Sequence, residues 1–170
     1  MKFTLPGLVA APFTPFRADG EIAYDVIPRQ ARTLARNGVI GAFVCGTTGE
    51  GQSLTDDERR RVLEAWVAAR PAGLKVIAHI GHLSLGATRA LARHAQDVGA
   101  DAISTVAPSF FKPAGNAELV AWCAQAAAAA PKTPFFYYHI PSMTNVTLPV
   151  APFLAEAKNT IPTLEIGRAH

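Results

Sequence analysis

The chain has 170 residues, of which 49% are apolar and 17% charged, and its formal net charge is +3. That apolar share can bury a core and excludes a disordered tail, and the length suits a single domain. No unbroken apolar stretch approaches the ~18 residues of a spanning helix, and Pro6, Pro12 and Pro15 interrupt the segment that a signal peptide would need, so a cytoplasmic protein without a membrane partner is expected.

Short apolar runs rich in β-formers alternate with stretches of helical period. The runs begin at Leu8 (LVAAPF), Ala42 (AFV), Val76 (VIAHI), Ala102 (AISTV), Phe135 (FFYY) and Leu164, at intervals of 34, 34, 26, 33 and 29 residues. An interval of about 30 is one strand, one helix and two loops. After the first run, Ile27, Ala31, Leu34 and Ala35 recur at helical spacing, and Asn37-Gly38 supplies a stop. The second helix opens on Thr55-Asp56-Asp57-Glu58, a capping box in which hydroxyl and carboxylate satisfy orphan N–H groups reciprocally. Its apolar stripe is Val62, Leu63, Trp66 and Val67, while Arg59-Arg60-Arg61, set among Asp56, Asp57, Glu58 and Glu64, reads as a solvated face. With the other positive charges scattered, no nucleic-acid partner is expected. The third helix carries Leu91, Ala92, Ala95 and Val98 before Gly99; a fourth runs from about Asn116 to Ala130 and is ended by Pro131; a fifth lies near Val150 to Lys158.

Strands alternating with helices predict a parallel sheet, either open and doubly wound or closed into a barrel. Periodicity alone does not choose between them. Both gather chemistry at the C-terminal ends of the strands.

After the second run comes Gly46-Thr47-Thr48-Gly49-Glu50-Gly51. Exposed N–H groups beside two hydroxyls make a cradle for a carboxylate or phosphate. The segment is neither a Walker loop nor Gly-x-Gly-x-x-Gly, and a tight turn without a ligand also accounts for it. Tyr137-Tyr138-His139-Ile140-Pro141 ends the fifth run. A strand-end phenol can move a proton, although neighbouring tyrosines on a strand face opposite sides and can both be packing residues, one into a barrel and one against helices. His79 and His82 have no partner at a metal-ligand spacing, so no metal is expected, and His79 reads as a core histidine satisfied by its neighbours. Cys45 and Cys123 suit neither a disulfide framework nor a metal site; Cys45, inside an apolar strand, reads as a buried, inert thiol.

Order raises the specificity of these features. Pro12-Phe13-Thr14-Pro15-Phe16 after strand one, Gly46-Thr47-Thr48-Gly49-Glu50 after strand two and Tyr138-His139-Ile140-Pro141 at strand five resemble the pyruvate-dependent class I aldolases of the dihydrodipicolinate synthase and N-acetylneuraminate lyase family, from Gly7 to about Leu164. His79-Ile80-Gly81, Leu83-Ser84-Leu85, Ala107-Pro108, Phe110-Phe111-Lys112-Pro113 and Ile161-Pro162-Thr163 are similar to its lyase branch. The resemblance implies a (β/α)8 TIM barrel, usually a homotetramer. It assigns the pyruvate carboxylate to Thr47 and Thr48, and the proton relay at the bond being broken to Tyr138 rather than Tyr137. A lysine amine condenses with the substrate ketone, and the protonated imine is the electron sink for C–C cleavage, without a cofactor. For the lyase branch the reaction is reversible cleavage of sialic acid to N-acetylmannosamine and pyruvate. Phe110 and Met143 stand where the synthase branch carries a relay tyrosine and a carboxylate-binding arginine. A 2-keto-3-deoxy sugar acid aldolase, a synthase and a non-catalytic binding protein are the alternatives.

The family's Schiff-base lysine, on strand six, has no counterpart: its place falls on or near Arg168, which has no free amine lone pair. Glu165-Ile166-Gly167-Arg168-Ala169-His170 is also what one reading frame of a common sequencing adapter encodes. The expectation is that residues 1–164 are the N-terminal part of one barrel domain and residues 165–170 an artefactual tail. Eight βα units take about 250 residues, so the chain accounts for five and the start of a sixth. Open edge strands, a wet inner face, poor stability and no lyase activity follow as expectations.

Overall fold

A computed structural model describes Phe3 and residues 5–166. Five strands form one parallel sheet in the order β1 (Val9–Ala10), β2 (Gly41–Val44), β3 (Lys75–His79), β4 (Ala102–Thr105) and β5 (Phe135–Tyr137). The helices between them are α1 (Ile27–Arg36), α2 (Asp56–Ala69), α3 (Leu85–Asp97) and α4 (Asn116–Ala128), followed by a short α5 (Pro141–Thr144) and α6 (Val150–Thr160). Strand order that repeats chain order, with a helix at each crossover, is the sequential winding of a barrel rather than the reversal of a doubly wound sheet. The chain therefore holds the first five βα units of a TIM barrel.

Local sequence explains the element ends. Thr55 and Glu58 form the expected capping box, with the Thr55 amide donating to Glu58 at 2.7 Å and the Glu58 amide to Thr55 Oγ1 at 3.3 Å. The Thr55 hydroxyl also donates to the Glu58 carboxylate, at 2.8 Å, and these two bonds from the Thr55 amide and hydroxyl hold the Glu58 carboxyl below its ordinary pKa. Ser84 caps α3 in the same sense, accepting from Ala87. Gly38 and Gly99 lie just past α1 and α3 with φ of 74° and 81°, the left-handed region in which glycine ends helices.

Strand register assigns the two sheet faces. Ala42, Val44, Val76, Ala78, Ile103 and Phe135 point one way and are fully buried, packing with Ile27, Val62, Trp66, Leu91, Leu119 and Phe153 of the surrounding helices. Burying each of the valine, isoleucine, leucine and phenylalanine side chains among them stabilises by about 1.5–3 kcal/mol. Phe43, Ile77, His79, Ser104 and Phe136 alternate onto the other face, the barrel interior.

The inner face corrects one expectation. His79, Ile77 and Ser104 are 7%, 4% and 0% exposed, so the middle of this face is covered rather than wet. Aromatic rings close over it: Phe43 lies 5.6 Å from His79 and 5.7 Å from Tyr138, and Phe3 lies 5.9 Å from Phe136. The sixth strand is only a bridge, Leu164 beside Phe135, with Phe135 donating to Thr163 and accepting from Glu165. Arg168 and the rest of the tail from Gly167 lie outside the described residues. Helix α5 was not foreseen, since four residues show no period; Pro141 starts it and Asn145, at φ 57°, ends it.

Candidate active site

The glycine turn leaves β2 at the C-terminal end of the sheet, and its shape follows from close approach. A Cβ on Gly46 would stand 2.6 Å from the Phe43 ring, and one on Gly51 would run into the Cys45 carbonyl oxygen. Only glycine fits either position. The Glu50 amide donates to Thr47 and the Gly51 amide to Gly46, at 3.0 and 3.1 Å. The Thr14 hydroxyl, buried in the loop after β1, donates to the Gly49 carbonyl at 2.6 Å. Thr47 and Thr48 are left exposed at the apex, and their amides donate to no acceptor among the described residues. Two free N–H groups and two hydroxyls can receive a carboxylate without rearrangement.

Cys45 stands one residue beyond β2, not inside it, with φ of 57°. Burial pushes its thiol up to about 11, partly offset by Arg59, so it is unreactive at neutral pH.

Tyr138 is the first residue after β5, and its amide donates to Thr105 at 2.8 Å. Its ring meets Phe43 edge-on. Phe43 thus touches both Tyr138 and the turn at Gly46, which brings phenol and cradle to one mouth. Tyr137 faces the other way, its ring 4.5 Å from Phe153 of α6, and burial raises its phenol above the ordinary range. The two tyrosines divide as alternation along a strand requires.

His79 is the buried core histidine expected, with the Ser104 backbone as a neighbour that favours its charged form, while its Nδ1 has no partner among the described residues. Burial, then Arg59, pulls its pKa down to about 3, so the ring is neutral. Ser104, its register partner on β4, likewise has an unpartnered hydroxyl. The interior beneath the mouth is therefore polar and uncharged.

Arg59 corrects the reading of the arginine triplet. It is 3% exposed and donates to the His79 and Gly81 carbonyls at 2.7 and 2.9 Å, while Gln52 donates to Gly81 at 2.7 Å. Together they tie α2 and the glycine turn to the end of β3. Arg60 instead pairs with Asp57, and Arg61 stacks 4.3 Å over Tyr24. The signal was in the sequence: 59, 62, 63 and 66 share one helical stripe. Thr14 was quoted within a motif, but its anchoring bond joins residues 35 apart, which no local pattern reports.

Lysine is scarce at the mouth. Lys112, Lys132 and Lys158 are exposed, and Lys75 pairs with Asp101 at the opposite end of β3.

Comparison with known proteins decides the family. Residues 4–161 match the Dihydrodipicolinate synthetase family. The chain belongs to that family. It is 45% identical to the N-acetylneuraminate lyase of Pongo abelii over 96% of its own length and 52% of that protein. It superposes on the Proteus mirabilis N-acetylneuraminate lyase with a TM-score of 0.91 at 45% identity, covering 94% of this chain and 54% of that one. On dihydrodipicolinate synthase from Aquifex aeolicus the TM-score is 0.85 at 28% identity, covering 96% and 56%. The chain spans about half the length of the curated relatives it matches. No helix among the described residues is long and apolar enough to cross a membrane.

Proposed function

We propose that this chain is part of an N-acetylneuraminate lyase, which cleaves sialic acid reversibly to N-acetylmannosamine and pyruvate. The observation that carries the reading is the cradle of Thr47 and Thr48 held over Phe43, with the Tyr138 phenol against the same ring. In this reading the turn receives the carboxylate of the pyruvate moiety. A lysine from beyond residue 164 forms the imine with the neighbouring ketone, and its protonated nitrogen accepts the electrons of the breaking C–C bond. Tyr138 takes the proton from the alcohol as it becomes a carbonyl and returns it in the reverse direction.

Two residues support a lyase over a synthase. Phe110 has no hydroxyl to join a relay, and Met143, 60% exposed in α5, has no charge for a second carboxylate. The relatives at 45% identity are lyases, and the synthase compared stands at 28%. The proposal includes a homotetramer in the cytoplasm that needs no cofactor.

The test is pyruvate release from N-acetylneuraminate by the protein translated from the complete reading frame, with borohydride trapping of the imine. Release with a trapped lysine is expected. Cleavage of 2-keto-3-deoxy sugar acids in preference, or condensation with an aldehyde acid, would move the chain to another activity of the family. The 170-residue chain itself is predicted to form no trapped adduct, and a pyruvate-sized mass increase on Lys112, Lys132 or Lys158 would overturn that.

A further inference from the structure

Arg59 and His94 line one small cavity, and each has a buried nitrogen without a partner among the described residues. It lies between β2, β3, α2 and α3, and its lining includes Cys45, Arg59, Arg60, His79, Leu91 and His94. The space measures about 10 Å³, the room of one water molecule. Phe43 and Tyr138 stand on the inner face and are not part of its lining.

The guanidinium of Arg59 is two-thirds committed. Nη1 donates to Gly81 and Nη2 to His79, but Nε has no acceptor among the described residues. His94 Nε2 comes within 3.2 Å of a Glu64 carboxylate oxygen, yet without the alignment of a hydrogen bond, and it too is without a partner. A charged donor left unpaired in a buried place costs about 1–3 kcal/mol or more. Of the other lining residues, Arg60 is paired with Asp57, the His79 side chain alternates onto the inner face, and the rest are apolar or thiol.

We propose that this cavity is a binding site for a single ordered water molecule, which accepts a hydrogen bond from Arg59 Nε and forms a second with His94 Nε2. The water gives the guanidinium its third anchor. Two of the anchors hold the carbonyls of His79, the last residue of β3, and of Gly81 just beyond it, at the end of the sheet where the Thr47–Thr48 turn begins. Helix α3, through His94, is thereby coupled to the geometry of the mouth without touching it. The inference does not depend on the lyase reading.

The sign of one stability change tests it. If the nitrogens were simply unpaired, His94→Leu would remove a buried polar atom, fill the space and raise the thermal midpoint. With the water in place, the same change takes away one of its partners, and the midpoint of the 170-residue chain at pH 7 is expected to fall by about 2–4 °C. His94→Gln, which keeps a polar terminus, should recover at least half of that loss. Glu64→Gln should shift the midpoint by less than about 1 °C, because an exposed pair is worth little. An unchanged or higher midpoint for His94→Leu overturns the proposal, as does a loss fully reproduced by Glu64→Gln. If His94→Leu fails to fold, His94→Gln and a high-resolution crystal structure decide. One density peak about 2.7–3.2 Å from both nitrogens is expected, and the absence of a peak overturns the proposal.

Discussion

The turn after β2 and the loop after β4 leave the same end of the sheet and are built in opposite ways. The first is held by glycines pressed against Phe43 and Cys45 and by the Thr14 bond from another loop. The second carries Phe110 and Phe111 at 71% and 84% exposure, packed edge-to-face on each other at 4.9 Å. The glycine turn is thus held entirely within the first two βα units, whereas the aromatic pair is unburied apolar area that nothing among the described residues covers. On the proposed reading, the more rigid of the two is the one that would receive a charged group without reorganising the protein.

The sharpest way to break this contrast is Gly51→Ala. Its methyl group would meet the Cys45 carbonyl, so the turn must open, at a cost of about 3 kcal/mol or more. Urea unfolding measures it, and a loss below about 1 kcal/mol would show that the turn is pliable. Acid titration comes next. The folded His79 pKa lies near 3, below its ordinary 6.5, so below pH 6.5 the unfolded chain binds the extra proton. Stability should be intact above pH 6.5 and fall between pH 6.5 and 3, by at most about 1.4 kcal/mol per unit. His79→Leu should flatten that slope, and an unchanged slope would assign it to other groups.

Smaller effects sharpen the comparison. Thr14→Val keeps the volume but removes the donor to Gly49, and should cost about 1–2 kcal/mol in the same unfolding measurement. Phe111→Ser should lie within about 0.5 kcal/mol of the parent, as exposed sites do. A larger loss from Phe111→Ser than from Thr14→Val would reverse the ranking of the two loops.

Much of this was legible before any coordinates. Intervals of about 30 residues mark βα units, and the Thr55–Glu58 box and the Gly38 and Gly99 stops appear where the sequence places them. These are local features, governed by φ/ψ preferences and bonds within one turn, so a linear pattern reports them. The candidate site was legible only as residue types after strands, namely Thr47, Thr48 and Tyr138, and their roles remain part of the proposal. Which tyrosine meets the cradle was not legible from residue types alone, because alternation predicts two faces without saying which is inner.

By itself, then, the sequence determined the order of elements, their caps and the chemistry on offer at each strand end. Only the tertiary structure decided that Phe43 joins Tyr138 to the glycine turn, that Thr14 anchors Gly49, that Arg59 is interior and that His79 is neutral. Each of these depends on groups distant in the chain meeting across strands or between sheet and helix. Desolvation and close approach act through space, and no spacing along the chain encodes their magnitude.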